Sequence, residues 1–353
     1  MSGNTTNKSQ ISGSKEAMFY EKLEGGNVRC NLCNHRCRIS KGKTGICGVR
    51  ENRDGTLYSL IYAMVSSEAV DPIEKKPLFH FNPGSLVYSL GTIGCNFRCK
   101  HCQNWIISQV GLDEANSIEI TPEQAVERAL ATGCRSIAWT YNEPTIWYEY
   151  TYDSAKLAKE AGLDTVYVTN GYITPEALEH ISPYLDAFRV DIKAFSEKFY
   201  KEVVGARLAP VLESAKLAKE LGMHVEVVNL VIPTLNDSED ELRELSKWVF
   251  ENLGENTPVH FTRFQPYYKM NHLPPTPVET LEKAHQIALD AGLKYVYIGN
   301  VFGHEYEITF CPSCGKPVIV RGVFDVQDQA LTPDNKCRNC GAPISIYGKY
   351  YGD

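Results

Sequence analysis

Three cysteines stand close together in "GCNFRCKHCQNW", residues 94–105. Cys95, Cys99 and Cys102 are spaced C-x3-C-x2-C, and the next cysteine, Cys134, lies 32 residues beyond them. Thiolates that fill a metal's coordination shell usually come in fours. Three can bind three irons of a cubane [4Fe–4S] cluster and leave the fourth iron open to an exogenous ligand, as a catalytic zinc keeps one open position. The competing reading of these residues is a three-thiolate zinc site completed by His101. Position weighs against it, because the loop follows a predicted strand in an active-site location. Ligation by the adjacent His101 and Cys102 would also strain a tetrahedron.

Two further clusters do reach four. "CPSCGK" and "CRNCGA" supply Cys311, Cys314, Cys337 and Cys340 as paired C-x2-C knuckles. A glycine after each second cysteine permits the left-handed backbone that aims amides at sulfur. This spacing predicts a closed four-thiolate site in a zinc-ribbon-like module, with zinc favoured over iron. "CNLCNHRCRISKGKTGICGVR" supplies Cys30, Cys33, Cys37 and Cys47 at irregular C-x2-C-x3-C-x9-C spacing. Four ligands again predict a closed site, holding a second zinc or an auxiliary iron–sulfur cluster, with zinc somewhat favoured; His35 could replace one thiol. Cys134 stands alone at a helix-to-strand junction and reads as a small buried hydrophobe.

The totals fit such a protein. Of 353 residues, 43% are hydrophobic and 22% charged, ordinary values for a soluble globular chain whose core needs no disulfides. Twelve cysteines in C-x2-C steps, with no apolar export signal, therefore indicate metal ligation in a reducing cytoplasm. A net charge of −7 argues against a general hold on nucleic acid or anionic membrane, although the basic run around residues 34–50 keeps nucleic acid as a lesser alternative. No apolar run is long enough to span a membrane.

The loop must be positioned by the elements around it. Strand-like and helix-like runs alternate between residues 85 and 300: "SLVYSLGTIG", "TPEQAVERALATG", "SIAWTYNEP", then "TVYVTNG", "AFRVDIKAF", "HVEVVNLVIP", "PVHFTRFQP", "PVETLEKAHQIALDAG" and "KYVYIGN", with helices between the strands. Six strand–helix units and a trailing strand imply an α/β fold with a parallel sheet. A partial (β/α)6 TIM-like barrel is favoured over a doubly wound sheet, and chemistry belongs at the carboxyl ends of the strands in either. Asn142, Glu143, Asn170, Asp191, Lys193, Asn229, His260 and Arg263 fall within or just beyond those strands. The predicted layout is a disordered tail over 1–17, a Cys-rich metal-binding segment over 18–84, the barrel over 85–303 and the ribbon-like module over 304–353.

The three-cysteine loop after the first strand resembles the radical S-adenosylmethionine superfamily. "YNEPTIW", "TNGYI", "RVDIKAF", "LVIPTLND" and "HFTRFQPYYKM" resemble its branch containing the pyruvate formate-lyase activating enzymes. With "EKKPLFHFNPG" at 74–84 and the two outer clusters, the chain from about residue 18 resembles the AmmeMemoRadiSam system radical SAM enzymes. The resemblance implies that Cys95, Cys99 and Cys102 ligate a [4Fe–4S] cluster whose open iron takes S-adenosylmethionine. One electron to the sulfonium then releases a 5′-deoxyadenosyl radical that abstracts hydrogen. It implies that Glu143, with Asn142, meets the methionine ammonium, that Lys193 and His260 lie near its carboxylate and Asp191 near the ribose, and that Asn170 is a further contact. His101 stands where the family usually has an aromatic residue beside adenine, so stacking there is weakened. Each residue also has a plain structural reading: Asp191 and Lys193 as a same-face ion pair, Glu143-Pro144 as a helix start, His260 as a core histidine.

The resemblance further implies a flavodoxin- or ferredoxin-type electron donor and a protein or peptide substrate, with Memo-type and AMMECR-type proteins as candidate partners. A small-molecule or cofactor precursor is the alternative substrate. A metal-bound scaffold with a decayed site is the alternative from another class, and the presence of Cys95, Cys99, Cys102 and Glu143 disfavours it.

Overall fold

The computed structural model describes residues 13–301, 303 and 305–352. Its centre is an eight-stranded sheet. An antiparallel edge strand β1 (Ser67–Pro72) precedes β2 (Leu86–Gly91), β3 (Ser136–Trp139), β4 (Asp164–Thr169), β5 (Ala187–Asp191), β6 (His224–Val231), β7 (Val259–Arg263) and β8 (Val296–Gly299). Strands β2 to β8 are parallel and lie in chain order. The order never reverses, so the sheet lacks the switch point that a doubly wound sheet requires.

Between successive parallel strands run α1 (Pro122–Ala131), α2 (Tyr148–Glu160), α3 (Pro175–Ile181), α4 (Ala209–Glu220), α5 (Glu239–Leu253) and α6 (Val278–Asp290). Crossovers of one hand and one direction place all six on one face of the sheet. Strand residues Ile137, Tyr167, Phe188, Val225 and Phe261 share a buried core there with Ala129, Ala155, Ala215, Leu245 and Ala284 of the helices. Small alanines let the helices approach closely. Thr121 caps α1 in a full capping box with Gln124. Asp237, two residues before α5, does not cap it. Asp237 instead accepts from the Thr234 amide in a turn, and Ser238 caps α5 through the Glu241 amide. Cys134 is buried in the same core, its thiol 3.3 Å from the Thr132 hydroxyl.

The opposite face is filled by the chain's own segment 73–82. Ile73, Leu78 and Phe81 pack on Val87, Ala138, Val166 and Ala187, which register places on the face away from the helices. The polar residues of that face meet at Glu226, which is fully buried. Its carboxylate accepts from the Phe79 and His80 amides at 3.1 and 2.8 Å, and from His224 and His260 Nε2 at 2.9 and 2.7 Å. Burial alone would push this carboxyl up, but the hydrogen bonds from the two histidines outweigh it and hold it well below the usual carboxylate range.

The C-terminal module is a three-stranded antiparallel sheet (Thr309–Phe310, Pro317–Gly322, Asp325–Gln329) with the two knuckles. It packs on Phe79, Tyr295 and Tyr297. Buried Arg321 rivets it by donating to the Phe79 carbonyl at 2.7 Å and to Thr309 Oγ1 at 2.8 Å. At the other end, Arg50 of the cysteine-rich segment makes a bidentate pair with Glu149 on α2, at 2.9 and 3.0 Å and with both side chains buried. The expected tail over 1–17 is partly corrected. Lys15–Glu16 pair with Tyr58 and Ser59 as a strand, and residues 1–12 lie outside the described residues. Among the described residues no helix is long and apolar enough to cross a membrane.

Replacing Glu226 with Gln should lower unfolding stability by about 3 kcal/mol at neutral pH, because an amide donor would face donors already in place. The sign with pH follows from the depressed carboxyl. Its contribution is present above the unfolded value of about 4.3 and is lost as pH falls through the lower folded value. Urea titrations of both proteins should show the gap narrowing below about pH 4, and equal midpoints at pH 7 would contradict this account.

Candidate active site

The loop after β2 is held from three directions. Gly94 N donates to the Ile107 carbonyl at 2.8 Å. Arg98 N and Lys100 N donate to Val204 and Val203 carbonyls of the π-turn Tyr200–Val204, at 2.8 and 3.0 Å. From the third side, His35 Nε2 lies 2.8 Å from the Asn96 carbonyl. Gly94 has φ +90°, and a Cβ there would sit 2.9 Å from the Cys47 carbonyl, so only glycine allows this approach. The fold thus brings Cys95, Cys99 and Cys102 to the carboxyl end of the first parallel strand. Cys95 and Cys99 are buried, and Cys102 is half-buried with its sulfur 3.1 Å from Ser108 Oγ.

Asn142 and Asn170 reach this loop and Glu143 holds Asn170, so their polar atoms are largely engaged by the protein. Asn142 donates to the Gly94 carbonyl at 2.7 Å and accepts from Thr92 N at 3.3 Å. Asn170 donates to Asn96 Oδ1 at 2.8 Å and accepts from Tyr172 N at 3.0 Å. Glu143 is fully buried and accepts from Thr145 N, Thr169 Oγ1 and Asn170 N at 2.9, 2.8 and 2.7 Å. Burial raises its carboxyl despite these bonds. These three residues brace the loop before they can touch anything bound in it.

Lys193 Nζ donates to Asp191 Oδ2 at 2.9 Å, and Arg189 donates to the other oxygen at 2.6 Å. Burial opposes the Asp191 charge, but Arg189 and Lys193 outweigh it and hold the carboxyl below its ordinary value. Arg189 was not among the expected site residues, although "RVDIK" alternates it onto the same face as Asp191 and Lys193. His101 is buried 6.1 Å from the Phe199 ring, and burial pushes its imidazole down to about 3. His260 is held by the protein through one ring nitrogen. Its Nε2 is engaged by Glu226, and its ring stacks on Tyr297 and meets the edge of Phe79. That nitrogen cannot also serve a cofactor carboxylate.

The thiol loop fits an iron–sulfur cluster. Burial pushes Cys99 up to about 12 and Cys95 well above its ordinary value, so both become thiolates only beside a compensating cation such as a metal cluster. Asn96 Nδ2 and His101 Nδ1 are buried with no hydrogen-bond partner among the described residues, which suits a loop built to face a bound group. Among the described residues only Cys311, Cys314, Cys337 and Cys340 bring three or more ligand atoms within 4.8 Å of one another. Zinc–sulfur bonds of about 2.3 Å put tetrahedral sulfurs about 3.8 Å apart, whereas cubane ligands stand about 6 Å apart. The wider loop therefore disfavours the zinc site completed by His101. At the C-terminal knuckles, Cys311 and Cys340 sulfurs are 3.6 Å apart and those of Cys314 and Cys337 3.8 Å. Gly315 and Gly341 take the left-handed conformation there.

Residues 90–249 match the family model described as the Radical SAM superfamily. The chain is 51% identical over 333 residues to the uncharacterized protein MJ0808 of Methanocaldococcus jannaschii, covering 94% of this chain and 99% of that one. It is 26% identical over 192 residues to the pyruvate formate-lyase-activating enzyme of Clostridium pasteurianum, covering 50% and 77% of the two chains. Among solved structures it is similar to a domain of pyruvate-formate lyase-activating enzyme from Bacteroides vulgatus. That match has a TM-score of 0.42 and 15% identity, and covers 47% of this chain and 99% of that one.

The bracing role of Glu143 has a direct consequence. Glu143→Gln places an amide donor against the donors of Thr145, Thr169 and Asn170, and should cost about 2 kcal/mol of stability even without any cofactor. Denaturation of the metal-free protein checks this, and an unchanged midpoint would show that these bonds do not form.

Proposed function

The chain belongs to the radical SAM superfamily and is an enzyme of that class, and from that premise we propose that it cleaves S-adenosylmethionine reductively and abstracts hydrogen from a protein or peptide. The observation that carries this reading is the set of three thiols at the end of the first parallel strand, beside an amide nitrogen of Asn96 and a ring nitrogen of His101 that are buried without a partner among the described residues. Cys95, Cys99 and Cys102 would hold the cluster. When bound, the [4Fe–4S] cluster supplies one electron to the sulfonium, which breaks into methionine and a 5′-deoxyadenosyl radical.

The chain's own residues bind and orient. Lys193, fixed by Asp191, presents an ammonium for the methionine carboxylate. Asp191 keeps its negative charge between Arg189 and Lys193 and faces the ribose. His101 is neutral and offers a flat ring to adenine. Asn142, Glu143 and Asn170 keep the loop rigid, so that binding costs little reorganisation. Burial around the loop keeps water from the radical.

The sheet is read as a partial barrel, since its strands run in chain order with every main helix on one side. The divisions at residues 85 and 304 remain the organisation we favour. Zinc suits the C-terminal knuckles, where sulfurs approach to 3.6 and 3.8 Å. The name of the Clostridium relative supports a protein substrate, because that enzyme activates another enzyme. The narrower assignment to the AmmeMemoRadiSam system rests on "EKKPLFHFNPG" and the outer cysteines, and makes Memo-type and AMMECR-type proteins the first substrates to try. A flavodoxin- or ferredoxin-type donor and a reducing cytoplasm complete the reading.

Anaerobically reconstituted, reduced protein should convert S-adenosylmethionine to 5′-deoxyadenosine and methionine. Cys99→Ala should abolish the conversion and leave zinc at the C-terminal knuckles. A preparation that binds its cluster yet forms no 5′-deoxyadenosine would overturn the proposal.

A further inference from the structure

The four N-terminal cysteines line one enclosed cavity, walled otherwise by apolar side chains such as Leu32, Ile39, Ile46 and Ile146. Its space not taken by atoms, including the part open to solvent, is about 330 Å³. The thiols surround this space without the close approach seen at the C-terminal knuckles, since no three of them come within 4.8 Å of one another. A mononuclear tetrahedral metal needs sulfurs about 3.8 Å apart, so the cage has the wider proportions of a polynuclear cluster. His35 lies inside the sequence run but is not spare as a ligand through Nε2, which faces the Asn96 carbonyl.

The cage touches the thiol loop at three points. His35, between Cys33 and Cys37, reaches Asn96, the neighbour of Cys95. The Cys47 carbonyl packs on Gly94, the other neighbour of Cys95. Arg98 donates to the Cys95 carbonyl at 2.7 Å and also to the Ile46 carbonyl, tying the two ligand loops together. Four thiols leave no open iron, so a cluster here has no place for a substrate. A closed cluster in contact with a second one is suited to moving electrons.

Beside the cage lies an open groove lined by Asn34, His35, Tyr172, Lys201 and Arg207. His35 belongs to both walls. Lys201 and Arg207 are exposed, and Lys201 sits on the π-turn whose carbonyls clasp the thiol loop. Lys201 and Arg207 give this groove a positively charged lining, which favours an acidic partner.

We infer that Cys30, Cys33, Cys37 and Cys47 hold a second iron–sulfur cluster, which takes single electrons from an acidic carrier protein docked at the Lys201–Arg207 groove and passes them to the cluster of the thiol loop. Each transfer oxidises the carrier by one electron and reduces the loop cluster by one, with no bond made or broken. The cluster itself rests on the cage geometry alone, whereas the direction of electron flow rests on the function proposed above.

Full-length chain reconstituted anaerobically should carry about eight irons, and a Cys95→Ala/Cys99→Ala/Cys102→Ala variant about four, with a Mössbauer spectrum that ignores added S-adenosylmethionine. Cys30→Ser/Cys33→Ser should lose the complementary set and keep the signal that responds to S-adenosylmethionine. If that variant does not fold, the wild type and the loop variant decide the matter. Zinc in place of iron in the loop variant overturns the cage cluster and leaves the catalytic reading standing. For the electron path, Lys201→Glu/Arg207→Glu with both clusters loaded should be reduced by flavodoxin at least about tenfold more slowly at low salt. Its photoreduction by deazaflavin, which needs no docking, should be unchanged. Equal rates with flavodoxin would overturn the electron-entry role.

Discussion

A parallel sheet must be covered on both faces, and in this chain the helices cover only one. The other face carries Arg189, Asp191, His224, Glu226 and His260, residues that cannot be buried under an ordinary apolar layer. Glu226 resolves the conflict. Its two oxygens gather four donors, two of them backbone amides of the segment that lies across the face. Segment 73–82 can therefore fill the interior without leaving its own amides unsatisfied. Phe79 and His80 then form the platform on which the C-terminal module sits, through Arg321 and the Ser345 carbonyl.

The same logic explains why the thiol loop can be rigid with almost no regular structure. It lies between the short helix Trp105–Ser108, the π-turn and the cysteine-rich segment, and each contributes hydrogen bonds to its backbone. The buried Arg50–Glu149 pair fixes the last of these against α2. Removing either partner would leave an uncompensated buried charge, so the segment cannot drift without a large cost. Thiols on a loop held in this way keep a fixed spacing, which is what a site of defined geometry needs.

The periodic parts of the molecule were readable from the residues. "SIAW" and "TVYVT" are short apolar runs between helix signals, and six strand–helix units emerge where they were expected. The cysteine spacing located the C-terminal four-cysteine group, whose sulfurs the structure brings together. What the residues alone could not reveal was the partner of each polar side chain. His260 lies at a strand end, and nothing in the sequence couples it to Glu226, 34 positions earlier, which engages its Nε2. Asn142, Glu143 and Asn170 fall beside the loop as expected, yet their bonds run to the loop's own backbone and to neighbouring residues. Lys15–Glu16 read as polar tail because pairing to Tyr58 and Ser59 is non-local, and a polar pair carries no period of its own. Arg189 was legible in principle, since it alternates with Asp191 and Lys193.

One residue type is used here in three different enclosures, and spacing rather than count separates them. The knuckles bring four sulfurs nearly into contact because each C-x2-C turn is folded back by a left-handed glycine. Of the N-terminal four only Cys30 lies in a strand, the other three stand on loops, and apolar side chains line the space they share. The loop of three has neither a fourth thiol nor a nearby histidine to take its place, because His101 points an unpartnered nitrogen into the interior instead of joining a compact ligand set. A chain that groups four cysteines in two other segments could have grouped four in this loop. The open position in the thiol loop is thus consistent with a site for an exogenous ligand, placed where the strand ends converge and where the neighbouring cage can reach it through His35 and Cys47.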